Sequence, residues 1–263
     1  MAAIPTRPIP KWLSDHCDRL QDEESKIQNL NLNIRRMNAD MIHVLSEALM
    51  KNDNIETINL TSALFQDQER GLVPFMRVMR NHPSLKAIHL SYNRLRYIHA
   101  IEQPLRSNTQ LCDLYLDYNR LNCDTAISLA NVLRHNTNLT VLQLNSNRIG
   151  DVGGEAIALA LKDNSTLKFL GMRSNQLGKR TAKAMISSLK INMTLTTLQI
   201  DQNPNLEEKV PLLTHIVQCN RAGRYLLRQN NEVPYALWPS VFQQLECDMV
   251  LFFLMEHPEL IMR

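Results

Sequence analysis

One spaced pattern, Leu-x-x-Leu-x-Leu-x-x-Asn-x-Leu, returns along this chain about every 28 residues, and it constrains the fold more than any other feature. The clearest copies are Leu111-Leu114-Leu116-Asn119-Leu121, Leu139-Leu142-Leu144-Asn147-Ile149 and Leu167-Leu170-Met172-Asn175-Leu177. A weaker copy upstream is Leu85-Ile88-Leu90-Asn93-Leu95, and one downstream is Leu195-Leu198-Ile200-Asn203. Two degenerate copies, Ile27-Leu30-Leu32 and Ile55-Ile58-Leu60, open the series. First positions fall at 27, 55, 85, 111, 139, 167 and 195, so the steps are 28, 30, 26, 28, 28 and 28. Such a register predicts a solenoid, in which each unit buries its apolar face only by stacking on its neighbours.

Inside a unit the apolar spacing changes. Leu142 and Leu144 alternate as in a half-buried strand, whereas Ala156, Ile157, Ala160 and Leu161 follow at helical separations. Neighbouring strands lie about 4.8 Å apart, but a helix with its side chains is roughly 10 Å across. Stacked strand-helix units must splay on the helix side and bend. The expected class is therefore α/β, a right-handed horseshoe of about seven units with a parallel concave sheet and convex helices. The ninth-position asparagines, Asn93, Asn119, Asn147, Asn175 and Asn203, stand where the backbone leaves each strand. Their amides can pair main-chain groups that this turn would otherwise bury unsatisfied.

These features resemble the leucine-rich repeats of the ribonuclease-inhibitor type, a class that includes nucleotide-sensing immune receptors and the Ran GTPase-activating protein. The unit from Leu139 to Leu161 lies close to that consensus, with Gly150, Gly153 and Gly154 in place. The next unit keeps Asn175-Gln176-Leu177-Gly178 but carries Thr181 where glycine is common, and Arg94-Leu95-Arg96 and Arg120-Leu121-Asn122 lack the glycines. The resemblance spans roughly residues 27 to 206. It implies a fold that serves inhibitors, receptors, adaptors and regulators alike, and so leaves function open.

Composition narrows the classes further. The 263 residues allow one solenoid with caps, and a net charge of +3 from 29 basic and 26 acidic residues gives no polyanion-binding footprint. The five cysteines (Cys17, Cys112, Cys123, Cys219 and Cys247) are dispersed and odd in number, which points to reduced thiols. The first ten residues lack the apolar stretch of a secretory signal. The longest apolar run, Met249 to Met255, is too short to span a bilayer. A cytoplasmic location without a membrane span is expected. Four Asn-x-Ser/Thr triplets, at Asn59, Asn138, Asn164 and Asn192, follow from the repeat register.

Three segments are expected. Residues 1–26 form an N-terminal helical cap, with Lys11 to Glu24 amphipathic and Trp12, Leu13, His16, Cys17 and Leu20 on one side. Residues 27–206 form the solenoid. Residues 207–263 break the period and read as short helices, roughly 207–220, 221–229, 239–245 and 249–257, serving as a cap or as a docking segment for a second partner.

Because strand side chains alternate, the third, fifth, seventh and eighth positions of each unit are expected on the concave side. They place His89 and Tyr92 in the third unit, Asp113, Tyr115, Asp117 and Tyr118 in the fourth, and Gln143 in the fifth. Phe169 and Arg173 follow in the sixth unit and Asp201 in the seventh. Tyrosine and arginine dominate interface energetics, so this face is the candidate protein-binding surface. With four or five strand residues per unit it offers only about 450 Å², against about 800 Å² for a standard partner surface, so the loops must contribute. In those loops Arg94, Arg120 and Arg148 stack at the tenth position, either as a grip for an acidic strip or as a solvated rim.

Catalysis finds little support. The chain holds no Gly-x-x-x-x-Gly-Lys loop, His-Glu-x-x-His, Gly-x-Ser-x-Gly or Cys-x-x-Cys motif, and no cofactor or metal is implied. His89 has no carboxylate or cysteine expected beside it at catalytic spacing, and His82, His135 and His215 read as surface or capping residues. The basic cluster Lys162, Lys168, Lys179, Arg180, Lys183 and Lys190 lacks interleaved aromatics, so nucleic acid is not the expected partner. The reading is a non-enzymatic protein-interaction module, an adaptor or a subunit of a larger assembly. The alternatives are a regulator of a small GTPase, as the Ran activating protein implies, and a microbial effector that captures a host protein.

Overall fold

The structure, a computed structural model, describes residues 8–22, 26–63, 68–96 and 102–221. Seven strands form one parallel sheet in strict chain order. They are β1 (Asn29–Asn31), β2 (Thr57–Asn59), β3 (Ala87–His89), β4 (Asp113–Tyr115), β5 (Val141–Gln143), β6 (Phe169–Gly171) and β7 (Thr197–Gln199). Around them run α1 (Lys11–Gln21), α2 (Ala39–Leu49), α3 (Gln68–Asn81), α4 (Glu102–Ser107), α5 (Cys123–Leu133), α6 (Asp151–Ala160), α7 (Lys179–Leu189) and α8 (Val210–Arg221). Each helix packs on the next along the convex side, giving the leucine-rich-repeat horseshoe that the periodicity predicts. The unit with the 26-residue step carries the shortest of these helices, the six-residue α4.

Register is held unit by unit. Ile58, Ile88, Leu114, Leu142 and Leu170 pair in one row across β2–β6, and all are fully buried. Leu60, Leu90, Leu116, Leu144 and Met172 form a second buried row behind them. Both rows meet helix residues such as Leu129, Ile157 and Met185 in one continuous core. Each such leucine contributes about 1.5–3 kcal/mol on leaving water, so stacking the units offsets the entropy of ordering them. Leu13, Cys17 and Leu20 of α1 join this core at one end, and Leu213, Ile216 and Val217 of α8 at the other. Arg35 lies over the Trp12 ring, 5.0 Å from its centroid, and ties α1 to the first turn. Of the helices expected after residue 206, only the first falls within the described residues, as a 3-10 turn (Glu207–Lys209) running into α8. Apart from Arg221, which ends α8, the expected segments 221–229, 239–245 and 249–257 lie outside them.

Two asparagine ladders fasten the units. At the ninth position, the Asn119 Nδ2 donates to the carbonyls of Leu90 and Leu116, at 3.0 Å each. Its Oδ1 accepts the N–H groups of Asn93 and Leu95, also at 3.0 Å. Asn147, Asn175 and Asn203 repeat the arrangement. A second ladder stands three residues before each first leucine and is absent from the sequence reading. There Asn136 Nδ2 donates to the Leu105 carbonyl of the preceding unit at 2.8 Å, and its Oδ1 accepts Leu139 N–H at 2.7 Å. Asn52, Asn108, Asn164 and Asn192 do the same. Asn164 and Asn192 are thus buried fasteners, which closes two of the four Asn-x-Ser/Thr triplets to modification in the folded chain.

His82 takes this ladder position in the second unit and is only 3% exposed, so of the two expected roles, surface or capping, it fills a buried capping one. Its Nδ1 accepts the Ser84 N–H, and burial lowers its pKa against the opposing pull of Asp53 and Asn52. His135 is exposed as expected, whereas His215 lies half-buried on α8.

Gly153 and Gly154 of the fifth unit serve close helix packing. A Cβ at Gly154 would meet Thr181 and lie 2.6 Å from Leu177 Cδ2, so α6 and α7 approach more closely there than a larger residue allows. Thr181, the departure from consensus, is fully buried in that contact.

Candidate functional site

Each strand is only three residues long, because the chain turns away at the sixth position. Seven such strands give a sheet face of about 10 by 29 Å, on the order of 290 Å², smaller than the 450 Å² expected from longer strands. The seventh and eighth positions lie beyond the sheet, in a turn whose eighth residue is left-handed. That conformation recurs at Ile34, Ser62, Tyr92, Tyr118, Ser146, Ser174 and Gln202, with φ between 52° and 61°. The turn is held laterally, since each eighth-position N–H donates to the seventh-position carbonyl of the next unit, as Tyr92 does to Asp117 and Tyr118 to Asn145.

The candidate aromatics therefore divide into two tiers. His89 and Tyr115 stand opposite each other on β3 and β4, with rings 4.2 Å apart and 2° from parallel. Tyr92 and Tyr118 belong to the turn ridge, stacked at 4.2 Å and 9°. After stacking, these two rings are still 47% and 51% exposed. The repeat itself builds both pairs, because parallel pairing brings equal positions of adjacent units side by side. The ridge position after Tyr118 is Ser146, whose side chain is too small to continue the stack.

Asp117 lies between the tiers. Its carboxylate acts electrostatically on Tyr115 and on Tyr92. Burial raises the Asp117 pKa, partly offset by hydrogen bonds from the Asn145 backbone and side chain. Burial likewise raises the Tyr115 phenol, and Asp113 and Asp117 add to that shift. Burial lowers His89 while Asp113 pulls it upward. The charge that acts on His89 comes from the neighbouring strand, where Asp113 stands opposite Ala87 and local spacing cannot reveal it.

The remaining candidates spread along the arc. Asp117 Oδ1 accepts the Asn145 N–H at 2.7 Å, and Asn145 Oδ1 accepts the Arg173 N–H at 2.8 Å. The Arg173 Nε then donates to Asp201, 2.9 Å from Oδ1 and 2.8 Å from Oδ2. Gly171 leaves a gap over which Asn145 Nδ2 reaches the Gln199 Oε1 at 3.1 Å, skipping one strand. Asn145 thus joins the site as a member that the sequence reading placed on the face but did not single out. Gln143 lies on β5 beside Tyr115. Phe169 is half-buried on β6 between Val141 and Thr197, two strands from Tyr115 and apart from the tyrosine stacks. Arg94 and Arg148 are exposed on the rim and Arg120 is half-buried between them. Among the described residues, no group of three or more histidines, cysteines and acidic residues is placed to hold a metal. None of their helices is long and apolar enough to cross a membrane.

A family model described as Leucine Rich repeat matches residues 135–158. No curated protein matches the chain. Among solved structures, actin-binding site 2 of leiomodin-1 is similar at 17% identity over 84% of this chain and 97% of that one, with a TM-score of 0.37. The C-terminal domain of tropomodulin from Caenorhabditis elegans is similar at 13% identity over 68% of this chain and 93% of that one, with a TM-score of 0.41. Sequence motif, the family match over residues 135–158 and architecture agree on a leucine-rich-repeat fold.

Proposed function

We propose that this chain is a non-enzymatic interaction module, an adaptor or a subunit of a larger cytoplasmic assembly. It captures a partner protein with the concave face, the turn ridge and the rim. The observation that carries this reading is the Tyr92–Tyr118 stack, whose rings stay half exposed on a backbone locked from both sides. Stacking alone would satisfy two rings that only packed on each other. Large, rigid, half-exposed tyrosines supply contact area at low entropic cost, which is what interface centres use. Convex helices of 10 to 14 residues in five of the units support the ribonuclease-inhibitor type of repeat.

The test is an affinity capture read by mass spectrometry, with the native chain, a Tyr92→Ala/Tyr118→Ala double variant and a convex control, Val152→Ala. A partner held by the native chain and the control but lost by the double variant supports the reading. A partner that the double variant retains rejects it. The rim arginines define the competing role as a GTPase regulator. Single-turnover GTP hydrolysis accelerated by the chain, and slowed again by Arg120→Ala, would move the function to the rim. Residues 1–26 serve as the lid of the first unit, and residues 207–263 as the opposite lid or as a second docking element. Removing 207–263 separates the two, because a lost lid leaves an insoluble solenoid and a lost docking element leaves a soluble one with one partner fewer.

A further inference from the structure

The aromatic patch contains two carboxylates that no described residue neutralises. Among the described residues the ion pairs are Glu56–Lys86, Glu102–Arg106, Glu155–Arg180 and Asp201–Arg173, so neither Asp113 nor Asp117 faces a cation. Both meet neutral donors only. Thr140 Oγ1 donates to Asp113 Oδ1 at 3.1 Å, and Asn145 N–H donates to Asp117 Oδ1 at 2.7 Å. The two lie on either side of Tyr115 along the same stretch of chain, and the one basic residue farther along the face, Arg173, is taken by Asp201. Partly desolvated carboxylates without a counter-charge are costly, and a cation arriving from outside recovers that cost. Exposed tyrosine faces beside them add the ring attraction that arginine and lysine find on aromatics.

Resting on the interaction reading above, we propose that this patch receives a basic segment of the partner. An arginine or lysine side chain of that segment lies against the Tyr115 and Tyr118 rings between the Asp113 and Asp117 carboxylates. Burial lowers the His89 pKa against the pull of Asp113, which works against a competing cation within the patch. The rim residues Arg94 and Arg120 stand two positions past the tyrosines, beyond the buried Asn93 and Asn119, so like-charge repulsion favours the concave side for the basic group.

The experiment selects a displayed library of random peptides on the immobilised full chain, then measures the enriched peptides against three forms: native, Asp113→Asn/Asp117→Asn, and Tyr118→Ala. Asparagine keeps an accepting oxygen for Thr140 and Asn145, so the doubly substituted chain should melt with the native one. The expected result is a consensus with arginine or lysine at a fixed place. Its peptides should lose about tenfold or more in affinity on the asparagine pair, the size of one charge-assisted contact, and should weaken on Tyr118→Ala as well. Peptides that need Tyr118 but ignore the asparagine pair, or that are enriched in acidic residues, overturn this proposal and leave the interaction surface standing. Peptides indifferent to both changes overturn the surface itself.

Discussion

Asp151 and Thr181 are joined across a unit boundary: one carboxylate oxygen of Asp151 accepts both the N–H and the hydroxyl of Thr181, at 2.8 Å each. The same side chain accepts the N–H groups of Gly178 at 2.8 Å and Arg180 at 3.1 Å. Gly178 stands at the N-cap of α7 and has no side chain to cap it, so the head of α6 caps α7 instead. Replacing Asp151 with alanine should therefore cost about 0.5–2 kcal/mol, the range for a lost helix cap, although residue 151 heads a different helix. The charge gives the effect a pH signature. Burial raises the Asp151 pKa, but the hydrogen bonds from Thr181, Arg180 and Gly178 outweigh it and leave the group below its ordinary value. A carboxylate depressed in the folded state stabilises above its unfolded pKa, about 4, and loses that contribution as pH falls through the folded value. Melting curves of the native chain and Asp151→Ala should differ at neutral pH and converge in strong acid. A gap that persists unchanged in acid would remove the charge from the account.

The ninth-position ladder makes a stronger demand. Asn119 satisfies two carbonyls and two N–H groups that belong to two different units. Asn119→Ala takes the acceptor from the Asn93 and Leu95 N–H groups at a buried site, while the Leu90 and Leu116 carbonyls keep the Asn93 and Asn147 amides as donors. An unpaired buried polar group costs about 1–3 kcal/mol. We expect a loss of about 3 kcal/mol or more by urea unfolding. Asn119→Asp should recover little, because its carboxylate accepts from Asn93 and Leu95 but sets a charged oxygen against the Leu90 and Leu116 carbonyls in place of the amide donor.

How much of this was legible depends on which way each contact runs. The strand leucines and the ninth-position asparagines repeat in phase, so their row positions follow from counting. The second ladder was legible too, since Asn108, Asn136, Asn164, Asn192 and Asn220 recur every 28 residues. It escaped notice because it lies between motifs. The left-handed eighth position was not legible. Serine, tyrosine, glutamine and isoleucine occupy it instead of glycine or asparagine, and lateral hydrogen bonds hold it in place of local preference. The rows that stack His89 on Tyr115 and Tyr92 on Tyr118 could be counted out, but their division into sheet and ridge depended on strands that end after three residues. Asp151 capping the next helix, and Asn145 reaching over Gly171, depend on side-chain reach across units and leave no mark in the spacing.

Leu144 and Tyr115 test the two sides of the sheet. Leu144 is fully buried, so Leu144→Ala should cost about 2–5 kcal/mol. Tyr115 is half-buried and stacked on His89, and its truncation should cost no more than about 1.5 kcal/mol, the worth of one aromatic pair. Chemical denaturation of both variants gives the ratio directly. Equal losses would place Tyr115 in the core and reverse the assignment of the concave face.

Ile34 offers the opposite sign. It holds the left-handed eighth position at φ 61° while 75% exposed, so its side chain gains little from packing to offset the strain. A β-branched residue pays for that conformation, with left-handed backbone costing roughly 1–2 kcal/mol. Its N–H donates to the Thr61 carbonyl at 2.8 Å, a bond that any residue but proline can make. Ile34→Asn keeps the turn and its hydrogen bond in a residue that tolerates the geometry. It should therefore stabilise the chain by about 0.5–1 kcal/mol, the scale of a relieved backbone conformation. A rise in the unfolding midpoint checks the expectation. Unchanged or lowered stability would mean that the isoleucine side chain supplies packing at this turn that outweighs its backbone strain.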